Sequence, residues 1–234
     1  MKTAHGIRAL AVVVPVRDEE ALLGRCLLGI SAAVSQARAE RPLVISVTIV
    51  LDSCTDGSAR IASEFAFDRL SIRAGNVGIA RGLGVDASLT ALAQPLERIW
   101  IANTDADSFV PRDWLTTQLS LADRGCDVLL GSVKPDVADL VNEARTRAIR
   151  ASSRDQVASV HGANLGVRAS TYRLVGGFPP VREHEDVRLV EGARAVDAVI
   201  DTTGAIPVLT SARTTGRTPG GYAGYLRRTF ASEG

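Results

Sequence analysis

The chain is 234 residues long, with 27 lysines and arginines against 26 aspartates and glutamates and a formal net charge of +1. That length favours one large domain with a sizeable core, and the balanced charge offers no bulk attraction to nucleic acid or an anionic membrane, so neither is expected as a partner. Lysine occurs only at Lys2 and Lys134, which leaves little for any mechanism that needs an amine.

From the N-terminus, Leu10 to Val16 (LAVVVPV) reads as a buried strand from its β-branched content, and Leu43 to Asp52 (LVISVTIVLD) as another. Between them Leu22, Leu23, Cys26, Leu27, Ile30 and Val34 recur at helical spacing. Residues 69–75 (RLSIRAG) read as a short third strand, residues 78–93 (GIARGLGVDASLTALA) as a helix with small residues on one side, and Arg98 to Asn103 (RIWIAN) as a fourth strand. Cys126 to Pro135 should supply a fifth strand and residues 136–155 a long helix. This alternation predicts an α/β fold with a mostly parallel central sheet flanked by helices on both faces, and ligands at the carboxyl ends of its strands. From residue 211 onward the chain is rich in Gly, Thr and Arg and reads as a flexible tail.

The N-terminal apolar run is short, ends in charge and lacks a small-residue cleavage pattern, so it does not read as a signal peptide. No window approaches the ~20 apolar residues of a membrane span. Cys26, Cys54 and Cys126 are odd in number and far apart, with no CxxC pair or Cys/His cluster, which argues against structural zinc and a disulfide framework. A cytoplasmic protein without a transmembrane segment is expected.

Acids, glycines and asparagine collect at the strand exits, in PVRDEE, DSCTDGS, AGNVG and NTDADS. In the last, Asp105 and Asp107 stand one alanine apart. One reading makes Asp107-Ser108 the cap of the next helix. The other keeps the segment extended, so that both acids point one way and offer hard oxygen ligands to a divalent cation. A dehalogenase-type phosphatase nucleophile fits poorly, because Phe109 stands where that motif has Thr or Val. A dinucleotide-binding turn in GNVGIARGLG fits poorly too, because two strands precede it and no tyrosine has a lysine four residues on. The acids of REHEDVRL suit either the first turn of a helix or a general base, since clustered carboxylates raise one another's proton affinity. His161 in VHGANLGV suits a strand end or a polar turn, and Cys54 a packed small residue.

Taken together these motifs resemble the inverting glycosyltransferases of family 2, which have the GT-A fold. The resemblance runs from about Val12 to Ile200 and rests on order and spacing: Pro15 to Glu20 as P-x-x-x-E-E; Leu51 to Ser58 against D-D-x-S-x-D-G-[ST]; Asn76, Gly78, Ala80, Arg81 and Gly84 as N-x-G-…-A-R-x-x-G; Asp105-Ala106-Asp107 as the DxD; then Gly162 to Arg168, Gly176 to Phe178 and Glu185-Asp186. Leu51 replaces the first of the tandem aspartates, Arg17 stands where a small or aromatic residue is common, and the only histidines are His5, His161 and His184.

The resemblance implies transfer of a sugar from a nucleoside diphosphate donor, expected to be a UDP sugar, to a hydroxyl of a small or carrier-bound acceptor, with manganese or magnesium as cofactor. Residues 1–107 would form the donor half, 108–210 the acceptor half and 211–234 a tail. Pro15, Arg17, Glu19, Asp52, Asn76, Gly78 and Arg81 would line the nucleoside pocket. Asp105 would meet ribose or metal, Asp107 would bind the metal, and Asp186 would be the general base. His161, Gly162, Asn164, His184 and Glu185 would shape the acceptor side, and Arg213 and Arg217 would neutralise the diphosphate. The alternatives are a donor-binding domain without turnover, or a nucleotidyltransferase. PVRDEEALL has acids where a nucleotidyltransferase loop needs cations and glycines.

Overall fold

The computed structural model describes residues 6–136, 160–181 and 183–213. Its strands are β1 (Ala9–Val16), β2 (Val44–Asp52), β3 (Asp68–Ile72), β4 (Ile99–Asn103), β5 (Ser108–Phe109), β6 (Val128–Asp136), β7 (Leu165–Arg168) and β8 (Ile200–Ser211). The helices described are α1 (Leu23–Glu40), α2 (Ser58–Ser63), α3 (Val77–Leu92), α4 (Trp114–Asp123), α5 (Ala169–Leu174) and α6 (Glu185–Ala195). The strands form one sheet in the order β3-β2-β1-β4-β7-β6-β8-β5.

Strand alternation builds two cores, one on each face. Along β1, Leu10, Val12, Val14 and Val16 join α1 and α4 in one cluster. Ala9, Ala11 and Val13 join α3, α5 and α6 in the other. The small residues of α3 serve this second face: a Cβ on Gly84 would come within 2.7 Å of both Val13 and Val50, so glycine lets the helix settle on the sheet.

The sheet is mixed rather than purely parallel, with six of its eight strands running one way and β5 and β7 reversed. β3, β2, β1 and β4 are parallel, but β7 runs antiparallel to β4 and β6, and β5 antiparallel to β8. The reversal has a consequence for the rim. β7 enters beside the carboxyl end of β4, with Leu165 opposite Asn103, and runs back down to pair Arg168 with Trp100. The preceding turn, Gly162–Asn164, is therefore set next to the exit that carries Asp105 and Asp107.

Two boundaries differ for identifiable reasons. The third strand stops at Ile72 rather than continuing to residue 75, because the N–H groups of Ala74, Gly75 and Asn76 turn to the carboxylate of Asp52, at 2.8 to 2.9 Å. Asp107-Ser108 does not start a helix. Ser108 opens β5, paired with Thr210, and the helix begins at Trp114. The long helix expected over residues 136–155 lies outside the described residues, apart from Asp136, which ends β6.

Candidate active site

Asp52 closes β2 and is almost wholly buried. Oδ1 accepts from Ala74, Gly75 and the Ser53 hydroxyl, and Oδ2 from Asn76. Burial raises its pKa, but these N–H donors outweigh it and hold the carboxyl below the usual range. Its work in the structure is to shape the loop into α3, which leaves one acceptor position on Oδ2. Asn76, expected in the nucleoside pocket, has both side-chain polar atoms committed: Oδ1 accepts from Ile79 N–H and caps α3, and Nδ2 donates to Val181 O. Gly78 beside it lets the Pro179 carbonyl lie too close for any Cβ. Pro15 is partly exposed near the end of β1, and Arg17 is exposed with its guanidinium over Gly75.

The PVRDEE and DSCTDGS exits are laced together. Asp18 Oδ1 accepts from Thr55 N–H at 2.6 Å, Glu20 accepts from Gly57 N–H at 2.7 Å, and Glu20 N–H donates to Asp56. Hydrogen bonds from Thr55 hold the Asp18 carboxyl below its usual range. Asp18, Cys54 and Asp56 bring potential ligand atoms within 4.8 Å of one another. Burial pushes the Cys54 thiol up, and its Sγ–H donates to Val16 O, so it stays protonated and is a poor metal ligand. These contacts describe a braced loop pair.

Glu19 departs from expectation. It is buried, and instead of lining a nucleoside pocket it takes a bidentate ion pair from Arg213, at 2.7 and 2.9 Å. Arg213 also reaches Asp107 Oδ2 at 3.0 Å. Residues 211–213 are thus not a loose tail: Ser211 closes β8, its N–H donates to Asp107 O, and Arg213 is held by two acids. Arg217 lies outside the described residues.

Asp107 Oδ1 accepts from the hydroxyls of Thr210 and, at 3.4 Å, Ser108. Burial, with Asp105 beside it, pushes its carboxyl up to about 6, against the pull of Arg213. Such a position is short of positive charge. Asp105 is more exposed and turns Oδ1 to Arg81. Two carboxylates of this kind suit a hard divalent cation such as manganese or magnesium, which prefers oxygen ligands.

Arg81 is buried rather than lining an open nucleoside pocket. NH2 pairs with Asp105, Nε donates to Glu185 Oε1 at 3.2 Å, and the guanidinium lies 5.8 Å from the centre of the Phe178 ring. Glu185 is likewise buried, a partner for Arg81 rather than an acceptor contact, and burial raises its pKa although Arg81 opposes the rise. Gly162 packs on the same guanidinium, 2.5 Å from NH2 at the place a Cβ would occupy. Its N–H donates to Asp186 Oδ2 at 2.7 Å, while Oδ1 accepts from Val187 N–H at 2.8 Å. A contiguous line therefore runs from Asp105 through Arg81 and Gly162 to Asp186.

His161, half-buried at the head of the same turn, has its pKa lowered by burial, against Asp186 and Asp105. His184 is exposed with φ of 63° at the start of α6. Asn164, expected on the acceptor side, faces the core instead. It is fully buried: Nδ2 donates to Ser132 O and Ile206 O, and Oδ1 accepts from Trp114 Nε1–H. Both of its N–H donors are spent on the core, and the side chain is buried away from the rim. Sequence reasoning missed Ser108 and Thr210, the hydroxyl pair at 2.9 Å beside Asp107. No local signal joins two hydroxyls a hundred residues apart.

A mixed sheet with acid-rich exits at the carboxyl ends of β1, β2 and β4 and a DxD at the last of them is the architecture of the GT-A glycosyltransferases. The chain matches Glycosyl transferase family 2 over residues 11–174 and belongs to that family. Among solved structures it is similar to the mannosyltransferase PcManGT from Pyrobaculum calidifontis in complex with GDP-Man and Mn2+, with 18% identity, TM-score 0.63, and 98% of this chain and 64% of that one covered. It is similar to S. aureus TarS 1-349 in complex with UDP, at 14% identity and TM-score 0.61, over 97% of this chain and 65% of that one. A third is glucosyl-3-phosphoglycerate synthase from Mycobacterium tuberculosis in complex with Mn2+, UDP and phosphoglyceric acid, at 17% identity and TM-score 0.54, over 84% and 69%. The chain thus spans less than two-thirds of the length of the first two. No curated protein matches it by sequence. Among the described residues no helix is long and apolar enough to cross a membrane.

Proposed function

We propose that this chain is a metal-dependent inverting glycosyltransferase that moves a sugar from a nucleoside diphosphate donor, in the first instance a UDP sugar, to an acceptor hydroxyl. The observation that carries the reading is the line Asp105–Arg81–Gly162–Asp186, which links the acid pair to an oriented carboxylate from the far end of the chain. Residues up to 107 would hold the donor and residues 108–210 the acceptor. The bound nucleotides and manganese of the similar structures support a nucleotide donor and a divalent metal.

Pro15 and Arg17 flank the nucleoside, and the free acceptor position on Asp52 Oδ2 suits an imide N–H of a pyrimidine. Asp105 and Asp107 would hold the divalent cation, which when bound supplies positive charge against the departing diphosphate. The acceptor oxygen attacks the anomeric carbon as the bond from that carbon to the diphosphate oxygen breaks. Asp186 takes the acceptor's proton, its oxygens held in position by the amides of Gly162 and Val187. A single in-line displacement inverts the configuration. Its general base stands apart from the acid pair, an arrangement that a binding domain without turnover would not need.

Calorimetric titration with UDP, GDP and dTDP, each with and without Mn2+, tests the reading. One nucleotide should bind in a manganese-dependent way, and Asp107→Ala should weaken that binding about 100-fold or more, as loss of one of two carboxylate ligands implies. Absence of binding by all three would discard the transferase. Equal binding with and without manganese would remove the metal from it.

A further inference from the structure

Arg213 occupies an unusual place in a site built for a cation. Its guanidinium stands between two carboxylates: NH1 and NH2 meet Glu19 at 2.9 and 2.7 Å, and NH2 also meets Asp107 Oδ2 at 3.0 Å. We infer that Arg213 is a built-in counter-ion of the acid pair, which the divalent cation must displace from Asp107 when the site loads. This rests on the metal-dependent reading above.

The two ends of the bridge are unequal. On the Glu19 side the contact is bidentate, the geometry in which guanidinium and carboxylate bind best. Glu19 is itself fixed: its N–H donates to Ser58 Oγ at 2.8 Å, and its carbonyl accepts from the N–H groups of Leu22 and Leu23 at the head of α1. On the Asp107 side there is one contact, to one oxygen. That is the weaker end and the one to give way.

The two cations compete for that oxygen. Oδ1 already accepts from Thr210 and Ser108, and Oδ2 is the atom Arg213 holds. A divalent ion arriving on Oδ2 stands within a few ångströms of a fixed positive charge, and like charges that close repel strongly wherever water is partly excluded. The guanidinium therefore turns off Asp107 while remaining on Glu19. Room for the turn exists, since Arg213 lines a cavity of about 290 Å³ whose wall also carries Leu22, Cys26, Phe109 and Asp107. A guanidinium released there lies beside the cation and within reach of the oxygens of a diphosphate. Without metal, Arg213 limits the repulsion among Glu19, Asp105 and Asp107. With metal it becomes a second positive group for the leaving group, so its removal should help the bare cation and hinder the nucleotide.

The test measures free Mn2+ by electron paramagnetic resonance, with no nucleotide present, in the full chain and in Arg213→Gln, Asp107→Asn and the double variant. Arg213→Gln should bind Mn2+ about two- to five-fold more tightly, the scale of one partly exposed ion pair removed from competition. Asp107→Asn should abolish binding in both backgrounds. If the full chain binds Mn2+ through Asp107 and Arg213→Gln binds it equally or more weakly, the exchange is overturned and the metal reading survives. If neither the full chain nor Arg213→Gln binds Mn2+, the exchange and the metal fall together, and nucleotide titration without metal decides whether the transferase stands. A second measurement needs no substitution in the bridge: Mg2+ titrated into the full chain should shift the assigned Arg213 Nε–H resonance saturably. A resonance that stays put while calorimetry records Mg2+ binding overturns the exchange.

Discussion

Asp186→Asn is expected to lower kcat for sugar transfer by about 10²- to 10⁴-fold, the range a positioned general base supplies. Nucleotide affinity should stay within about two-fold, because an interaction made only in the transition state does not enter ground-state binding. The substitution suits the site because Asp186 is held by two short hydrogen bonds, from Gly162 N–H and Val187 N–H. Asparagine keeps the shape and one of these acceptors. Its amide group faces the other N–H, a local cost of about 1 kcal/mol, which is too small to unfold the domain but large enough to appear in a melting curve. Initial rates of nucleoside diphosphate release, with the donor chosen by calorimetry, give the readout. A kcat within about three-fold of the original would place the base elsewhere. A parallel loss of nucleotide affinity would mean that Asp186 acts through the loop it anchors.

The strands that were legible are those whose side chains are apolar on both faces. LAVVVPV, LVISVTIVLD and RIWIAN can only be buried, and burial on both faces forces them into the middle of a sheet, where β1, β2 and β4 lie. β7 and β8 carried no such signal. β7 is four residues with a glycine, and that glycine is required because a side chain there would strike the Trp100 ring and Gln118. β8 includes Thr202, Thr203, Gly204 and Pro207, residues that read as loop, and is a strand because β6 and β5 pair with it from either side. Tertiary pairing overrode local propensity in both.

For the site, the motifs mark polar residues at the strand exits but do not fix their partners. A motif gives the residue type at a strand exit, but not whether its polar atoms face a ligand or the protein. Asn164 and Asn76, expected as ligand contacts, have both side-chain polar atoms engaged within the fold. Glu19 and Glu185 were read the same way and are acid partners of arginines 194 and 104 residues distant. Pairings at that separation are set by how the sheet closes. The acid pair was legible as a motif, but not its geometry: Ala106 and Asp107 form a turn closed by Ser108 N–H on Asp105 O at 3.1 Å rather than the extended segment expected, and the chain is extended again only from Ser108 in β5.

Arg81→Leu is expected to destabilise the fold by about 3 kcal/mol or more near neutral pH, the usual result of removing one partner of a buried ion pair. Arg81 is 2% exposed and Glu185 6%, so leucine fills much of the volume but leaves Glu185 buried without a counter-charge. The pH dependence identifies the cause. Burial already raises the Glu185 pKa and Arg81 opposes it, so the variant must raise it further. A carboxyl whose folded pKa exceeds its unfolded value binds more protons in the folded state, and its contribution to stability falls as pH rises between the two. The deficit of Arg81→Leu, measured by urea unfolding, should therefore be smallest near pH 5 and grow toward pH 8. A second substitution, Glu185→Gln, should recover part of it and flatten the pH profile. A deficit that ignores pH and is not relieved by Glu185→Gln would assign the loss to packing against Phe178 and Gly162 instead. The double variant also separates stability from function: with the charge imbalance removed but Asp105 and the Gly162 turn still lacking their brace, nucleotide release should remain slow in a protein that folds.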